Sequence, residues 1–352
     1  MAVPLTITDQ MTALLTTTLR RFLPTLSDQL FKATPFYAWI DAKGRKKTQN
    51  GSHEIVVPLL YGPAPSLKWY SYWDTFSVEP AEGISAAKYG WHQLIGNVPV
   101  SRREMRENSG EYRLLNLVGE KVTQLKKTLR QEMANVLFAG NTGSPAGYTA
   151  AFTDDSKQLQ SLNYFIPTEL AGTPTVAPTF APATYGSPGG IDASTWTWWK
   201  SQWAACNYTG ITAQIMHAAM ANMYHTCADG SDTPDLILTT QEVFELYENL
   251  MIGNQRYIDT KMGELGFDNI RFYNTTMMYD KYLQATLAGD RAPMYFINSD
   301  NLWLVVDSQT DFVSTPFERL YGQDGVYSSI LWMGTLVCNE RRGLGVIQFH
   351  TS

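Results

Sequence analysis

Three side chains in this 352-residue sequence have the chemistry of a metal site: His217, His225 and Cys227, since imidazole and thiolate are good zinc ligands. Their spacing matches no zinc motif, and they fall along an Ala- and Met-rich stretch that reads as helix, so they are read as core and surface residues. Asp229, Asp232 and Asp235 flank Gly230 but lack the alternation of a calcium loop. A polar turn is the simpler reading. The sequence has no G-x-S-x-G elbow, no G-x-x-x-x-G-K-[ST] phosphate loop, no H-E-x-x-H and no G-x-G-x-x-G after a strand. No catalytic residue, cofactor or metal is assigned, and the chain is not expected to be an enzyme. Cys206, Cys227 and Cys338 are an odd, widely spaced set without C-x-x-C, which fits a reducing compartment rather than a disulfide framework.

A second kind of chemistry is aromatic. Trp69, Tyr70, Tyr72, Trp73 and Phe76, followed by Tyr89 and Trp91, could stack on sugar rings. A glycan platform needs only two or three rings, however, and these run along both limbs of one predicted element. Glu54 to Leu60 and Ser66 to Val78 have the β-branched and aromatic content of strands, bounded by Gly62, Pro63 and Pro65. Glu79 to Gly83 turn the chain, and Ile84 to Val100 return. Each limb of this hairpin could reach about 40–50 Å. An isolated two-stranded ribbon is not stable in water, so it must lie on something.

The elements around the ribbon follow from periodicity. Residues 1 to about 50 read as an arm, with a short helix around Leu14 to Leu23 and a basic run, Lys43 to Lys47, most simply a solvated turn. Ser101-Arg102-Arg103-Glu104 has capping-box spacing. Leu114, Leu115, Val118, Val122, Leu125, Leu129, Met133 and Val136 recur at three- and four-residue steps, predicting one helix from Glu111 to Phe138, about 42 Å long. Residues 141 to 195, rich in Thr, Pro, Ala and Gly, read as a surface loop or insertion. A helix is expected over Ile211 to Cys227. Pro234 to Thr240 reads as a buried strand feeding a helix through Thr239-x-x-Glu242, and further strands are expected at 269–273, 294–297, 302–306 and 329–338. The class is α+β, with no internal repeat and no βαβ period.

Composition bounds the partners. The chain is 44% hydrophobic but only 17% charged, below the usual quarter for soluble domains, which leaves either a large aromatic core or a surface covered by partners. The net charge of −6 makes the whole chain no attractor of nucleic acid, so any such contact needs local basic patches. No apolar run is long enough to span a bilayer, and the first ten residues lack the pattern of a signal peptide. A soluble, cytoplasmically made product without a membrane partner is expected.

Arm, long hairpin, long charged helix and mixed domain, in that order, resemble the major capsid proteins of tailed double-stranded DNA phages, which share the Hong Kong 97-like coat fold. The resemblance is carried by Gly51 to Leu59 (GSHEIVVPL), Val98 to Met105 (VPVSRREM), Pro234 to Gln241 (PDLILTTQ), Lys261 to Phe267 (KMGELGF) and Ile330 to Leu336 (ILWMGTL), which span nearly the whole chain in order.

The resemblance implies an N-terminal arm over 1–51, an extended loop over 52–100, and a peripheral domain with spine helix and Pro/Thr-rich insertion over 101–204. It implies an axial domain over 205–310 and return strands to the peripheral domain over 311–352. The implied function is a shell subunit that assembles as homo-pentamers and homo-hexamers of an icosahedral head enclosing DNA, built in the host cytoplasm and residing in the virion. The alternative is an encapsulin-type nanocompartment of the same fold.

The ribbon aromatics Trp69, Tyr70, Tyr72, Trp73, Phe76, Tyr89 and Trp91 would then meet a neighbouring subunit. Lys121, Lys126, Lys127, Arg130 and the run Arg45 to Lys47 would face packaged DNA through phosphates alone. Because the match begins near Met1, a separate scaffolding protein is expected, together with a portal and a cement protein. Some relatives weld the hairpin to a neighbour by a Lys–Asn bond. Lys68 and Lys88 are the hairpin's lysines, but no partner for either can be read from the sequence.

Overall fold

Alternation along the strands decides how this chain is layered, because successive side chains of a strand point to opposite faces. The computed structural model describes residues 34–62, 69–75, 83–103, 111–138, 157–167, 179–182, 187–207, 210–250, 269–283, 292–319 and 321–350. In chain order the elements are α1 (Pro35–Ala42), β1 (Lys46–Gln49), β2 (Glu54–Leu60), β3 (Ile84–Gly90), β4 (His92–Ser101) and α2 (Glu111–Leu137). Then come α3 (Leu162–Phe165), β5 (Thr179–Pro182), β6 (Gln202–Asn207), α4 (Ala213–Cys227), β7 (Leu236–Thr239) and α5 (Gln241–Leu250). The chain ends with β8 (Asn269–Phe272), β9 (Thr275–Tyr279), β10 (Ala292–Ile297), β11 (Leu302–Asp307), β12 (Val313–Ser314), β13 (Glu318–Arg319), β14 (Gly325–Cys338) and β15 (Gly345–His350).

Two sheets form the body. A seven-stranded mixed sheet runs β5-β6-β15-β10-β7-β9-β8. Met294 and Phe296 of β10, Ile237 of β7 and Ile347 and Phe349 of β15 face one way, onto α4 and α5 through Met216, Met220, Met223, Val243 and Phe244. Their alternates Tyr295, Ile297, Leu236, Leu238 and Val346 face the other way, into the main core. The second sheet has six strands built on the 14-residue β14, which pairs β11, β12 and β13 along one edge and β4 along the other. The β4 pairing runs in register from Ser101↔Gly325 to His92↔Gly334. The mixed helix-and-sheet class expected from the sequence is what the chain adopts.

The helix expected over 111–138 is α2, 27 residues long, or about 40 Å. It crosses β4 so closely that a Cβ at Gly96 would come within 2.8 Å of a Leu125 methyl. Val122, Leu129, Met133, Ala134 and Leu137 bury its inner face.

Several expectations are corrected. The partner of the returning limb is β2, not 66–78: β2 and β3 pair from Glu54↔Gly90 to Leu60↔Ile84, and residues 69–75 form no strand. Beyond Gly90 the chain joins the six-stranded sheet as β4, so the ribbon ends there. The C-terminal part of the expected arm is core: Phe36, Tyr37, Trp39 and Ile40 of α1 are buried. The helix around Leu14 to Leu23 lies outside the described residues. The stretch read as a surface insertion also enters the core, with Leu162, Phe165 and Ile166 fully buried. The buried Arg341 guanidinium holds it there, donating to the carbonyls of Phe165 at 2.9 Å and Trp199 at 3.0 Å.

The two sheets also cut across the expected domain boundaries. β11 lies in the six-stranded sheet and β15 in the seven-stranded one, because the β10–β11 and β14–β15 connections cross between sheets. At the start of α5 the cap is Thr240, whose hydroxyl accepts from Val243 N at 3.4 Å. Thr239 is in β7, donating to the Pro293 carbonyl at 3.2 Å. Ser101 ends β4 and accepts from Arg103 N at 3.2 Å, while Glu104 lies outside the described residues.

Candidate assembly surface

The β2–β3 ribbon is two-faced. Its inner side carries Ile55, Leu59, Ala87 and Tyr89, all buried, and it rests on the short 3-10 turn Pro188–Gly190. Gly189 is obligatory in that turn: it sits at φ 67°, and a Cβ there would come within 2.6 Å of the Ala87 Cβ. Tyr89 donates its hydroxyl to the Cys338 carbonyl at 2.7 Å. The ribbon's stem therefore lies on its own chain. The outer side shows Val56, Leu60 and Ile84 to solvent.

At the far end of the ribbon the expected contact residues Trp69, Tyr70, Tyr72 and Trp73 are exposed, Trp69 and Trp73 fully so. Phe76 lies outside the described residues. Tyr89 is corrected from a neighbour contact to a core residue. Burial raises its hydroxyl's pKa well above the usual phenol value, which keeps it a proton donor. Trp91 is half-buried at the ribbon's base and donates to the Ser52 carbonyl at 2.9 Å.

An aromatic group at the root of the far end escaped the sequence reading. Tyr61, the residue after β2, stacks on Trp198 with centroids 4.9 Å apart and planes 9° from parallel, and Trp196 stands 5.8 Å from Tyr61. These rings come from segments more than 130 positions apart, so only the cluster of Trp residues at 196–203 could have signalled it.

The basic residues divide into two sets. Lys43 pairs with Asp235 at 3.1 Å, Arg45 with Asp300, and Lys46 with Asp311 at 2.6 Å. The Lys47 ammonium stands 4.1 Å from the Trp303 ring centroid. Each charge of this run is thus engaged within the chain as β1 pairs with β11, while Lys43 and Lys47 remain exposed. On α2, Lys121 donates to the Pro99 carbonyl at 3.0 Å. Lys126 is half-buried, and that burial lowers its pKa. Lys127 is exposed, and the Arg130 side chain lies outside the described residues.

His217, His225 and Cys227 are not brought together as ligands. His217 packs on Phe272 at 5.4 Å and His225 on Tyr273 at 5.7 Å, while the Cys227 sulfur lies 3.8 Å from that of Met223. Among the described residues no cluster of His, Cys, Asp or Glu could hold a metal, and no helix is long and apolar enough to cross a membrane. Asp229 and Asp232 close a turn through backbone bonds, and Asp235 accepts from Ser299 N and Oγ at 3.0 and 2.7 Å. All three cysteines are buried, and none is in a disulfide. Burial pushes the Cys206 thiol up to about 11 and that of Cys338 to about 12.

No family model matches the sequence, and no curated protein matches it. Solved structures do. The capsid of cyanophage A-1(L) superposes with TM-score 0.52 at 16% identity, covering 88% of this chain and 92% of that one. The capsid of Myoviridae phage XM1 gives 0.52 at 9% identity, covering 88% and 90%. The capsid of the native GTA particle gives 0.50 at 7%, covering 88% and 89%. At such identities the likeness is one of architecture, and over 88% of its length this chain has the Hong Kong 97-like capsid fold.

Proposed function

We propose that the chain is a major capsid protein, a structural subunit whose copies assemble into the icosahedral head of a phage around double-stranded DNA. The observation that carries this reading is the ribbon's far end. A subunit of this fold presents Trp69, Tyr72 and Trp73 to water, and Leu60 and Ile84 at the end of the paired strands are exposed as well, large apolar groups of the kind that marks an interaction surface. The role is assembly, not catalysis.

The same reading extends to partners. Copies meet as pentamers and hexamers through head-to-tail contacts that close into rings, with a scaffolding protein, a portal and a cement protein as companions and the host cytoplasm as the place of assembly. Lys126, Lys127 and Arg130 of α2 meet packaged DNA through phosphates. Expression of the chain followed by negative-stain electron microscopy tests the reading: shells, sheets or rings are expected. Monomers at high concentration would overturn it, and small closed compartments loaded with protein would favour a nanocompartment instead.

A further inference from the structure

Asn50 stands where three conditions for one reaction coincide. It precedes Gly51 in the single Asn-Gly pair of the sequence, and a glycine, having no Cβ, lets its backbone approach a neighbouring group closely. Both residues are exposed in the connection between β1 and β2, with Gly51 in the left-handed region at φ 58°. The β1 ladder ends at Gln49↔Asp307 and the β2 ladder starts at Glu54↔Gly90, so neither one reaches this pair. Finally, the Ser308 hydroxyl, just beyond the end of β11, donates to Asn50 Oδ1. That bond draws electron density from the amide carbon Cγ and stabilises the negative charge that the oxygen gains under attack.

We propose that Asn50 is a site of spontaneous covalent modification, at which the Gly51 nitrogen closes a succinimide on the Asn50 side chain with the assistance of Ser308. The Gly51 N–H gives its proton to a base in the solvent, and the nitrogen bonds to Cγ. The Cγ–Nδ2 bond then breaks, and ammonia leaves with a proton taken from water. A second water opens the ring at either of its carbonyls, leaving aspartate or isoaspartate. The net reaction consumes one water and releases one ammonia, with no oxidant, reductant or cofactor. It needs only the folded chain and is independent of the shell-forming reading.

Either product adds a carboxylate one residue beyond the Gln49↔Asp307 pair, and isoaspartate also lengthens the main chain by a methylene. The altered connection joins β1, fixed on β11, to the ribbon, so the ribbon's root carries a chemical record of its age. Asn97 supplies the contrast. Its Oδ1 also accepts from a serine, Ser329 Oγ, at 2.8 Å. It lies inside β4, however, paired with β14, and the residue after it is the β-branched and buried Val98. The extended strand backbone and the bulk of that residue keep the next nitrogen from the side chain.

The test incubates the full folded chain at neutral and at mildly alkaline pH and follows its peptides by mass spectrometry, with labelling by an isoaspartyl methyltransferase to count the iso product. Conversion at Asn50 is expected, faster at the higher pH, with Asn97 intact. Ser308→Ala should slow the folded chain about threefold to tenfold, the worth of one neutral hydrogen bond. In guanidinium chloride the variant and the parent should convert at the same rate, because unfolding separates Ser308 from Asn50. A folded parent chain whose Asn50 stays intact overturns the proposal. Equal rates for folded parent and folded Ser308→Ala, or the same slowing in the unfolded chains, overturn the part assigned to Ser308.

Discussion

The Tyr89 hydroxyl donates to the Cys338 carbonyl at 2.7 Å, and this bond ties the two-stranded ribbon to the end of β14, the longest strand among the described residues. It divides the ribbon into an anchored stem and a presented end. A wholly unsupported ribbon would be a poor presenter, because every inter-subunit contact would have to order it first. Here the stem is ordered before any neighbour arrives.

Tyr89→Phe removes the bond and leaves the ring. The Cys338 carbonyl is buried, so the loss is expected to destabilise the subunit by about 1–2 kcal/mol, read as a lower midpoint in urea with an unchanged slope. Assembly of the folded variant should match the parent, since Tyr89 faces its own core. A variant of parental stability that fails to assemble would return Tyr89 to the interface.

Two adjacent glycines make a sharper test of the stem. Gly189 and Gly190 both have positive φ, 67° and 76°, but only Gly189 has a neighbour in the way: its Cβ would meet that of Ala87 at 2.6 Å and the Tyr89 ring at 3.1 Å, whereas nothing lies within 4 Å of Gly190's. Gly190→Ala should cost about 1–2 kcal/mol, the backbone term alone. Gly189→Ala should cost about 2–5 kcal/mol, because a clash of about 1–3 kcal/mol is added to it. Equal midpoints for the two variants would mean that the stem does not rest on this turn.

The lysines of α2 separate in the same way. Lys121→Gln removes a bond to the Pro99 carbonyl and should cost about 1 kcal/mol of stability without changing how DNA binding responds to salt. Lys127→Gln should leave stability within about 0.5 kcal/mol and reduce the slope of log affinity against log salt by about 1. Filter binding of a short duplex across a salt series checks both, and an unchanged slope for Lys127→Gln would remove it from the DNA face.

These contrasts follow the line between what the sequence made legible and what it hid. Elements with long regular periods were readable: α2 begins at Glu111 and ends within a residue of the expected Phe138, and the strands at 269–272 and 302–307 fall within a residue of the strand-like stretches expected at 269–273 and 302–306. Pairing was not readable. Residues 66–78 have strand-like content, but the returning limb pairs with β2 because Ile55, Val57 and Leu59 alternate in register with Tyr89, Ala87 and Ser85, burying one face on a turn that lies about 100 positions further on. Composition misled at 157–193 for a related reason: Thr, Pro and Gly suit a surface loop, yet Arg341, far along the chain, donates to the Phe165 carbonyl, and Leu162 and Phe165 are buried. The basic run at Lys43 to Lys47 looked solvated because its partners Asp235, Asp300 and Asp311 stand more than 190 positions away.

One carboxylate gives a pH signature. Glu340 follows β14 and is raised above the usual carboxyl value, first by burial and then by the Asp229 and Asp232 carboxylates, against an opposing contribution from Arg342. A carboxyl whose folded pKa is raised makes ionisation costly to the folded state. That cost is absent below the unfolded pKa and grows as pH rises through the folded one. Glu340→Gln cannot ionise, so it should unfold at a higher temperature than the parent at pH 7, with the difference closing below about pH 4. Asp232→Asn removes part of the repulsion and should narrow the gap at pH 7. Thermal unfolding of unassembled subunits across that pH range decides the matter: a gap that stays constant with pH, or a Gln variant less stable than the parent at pH 7, would mean that Glu340 is held as the anion by partners stronger than its burial.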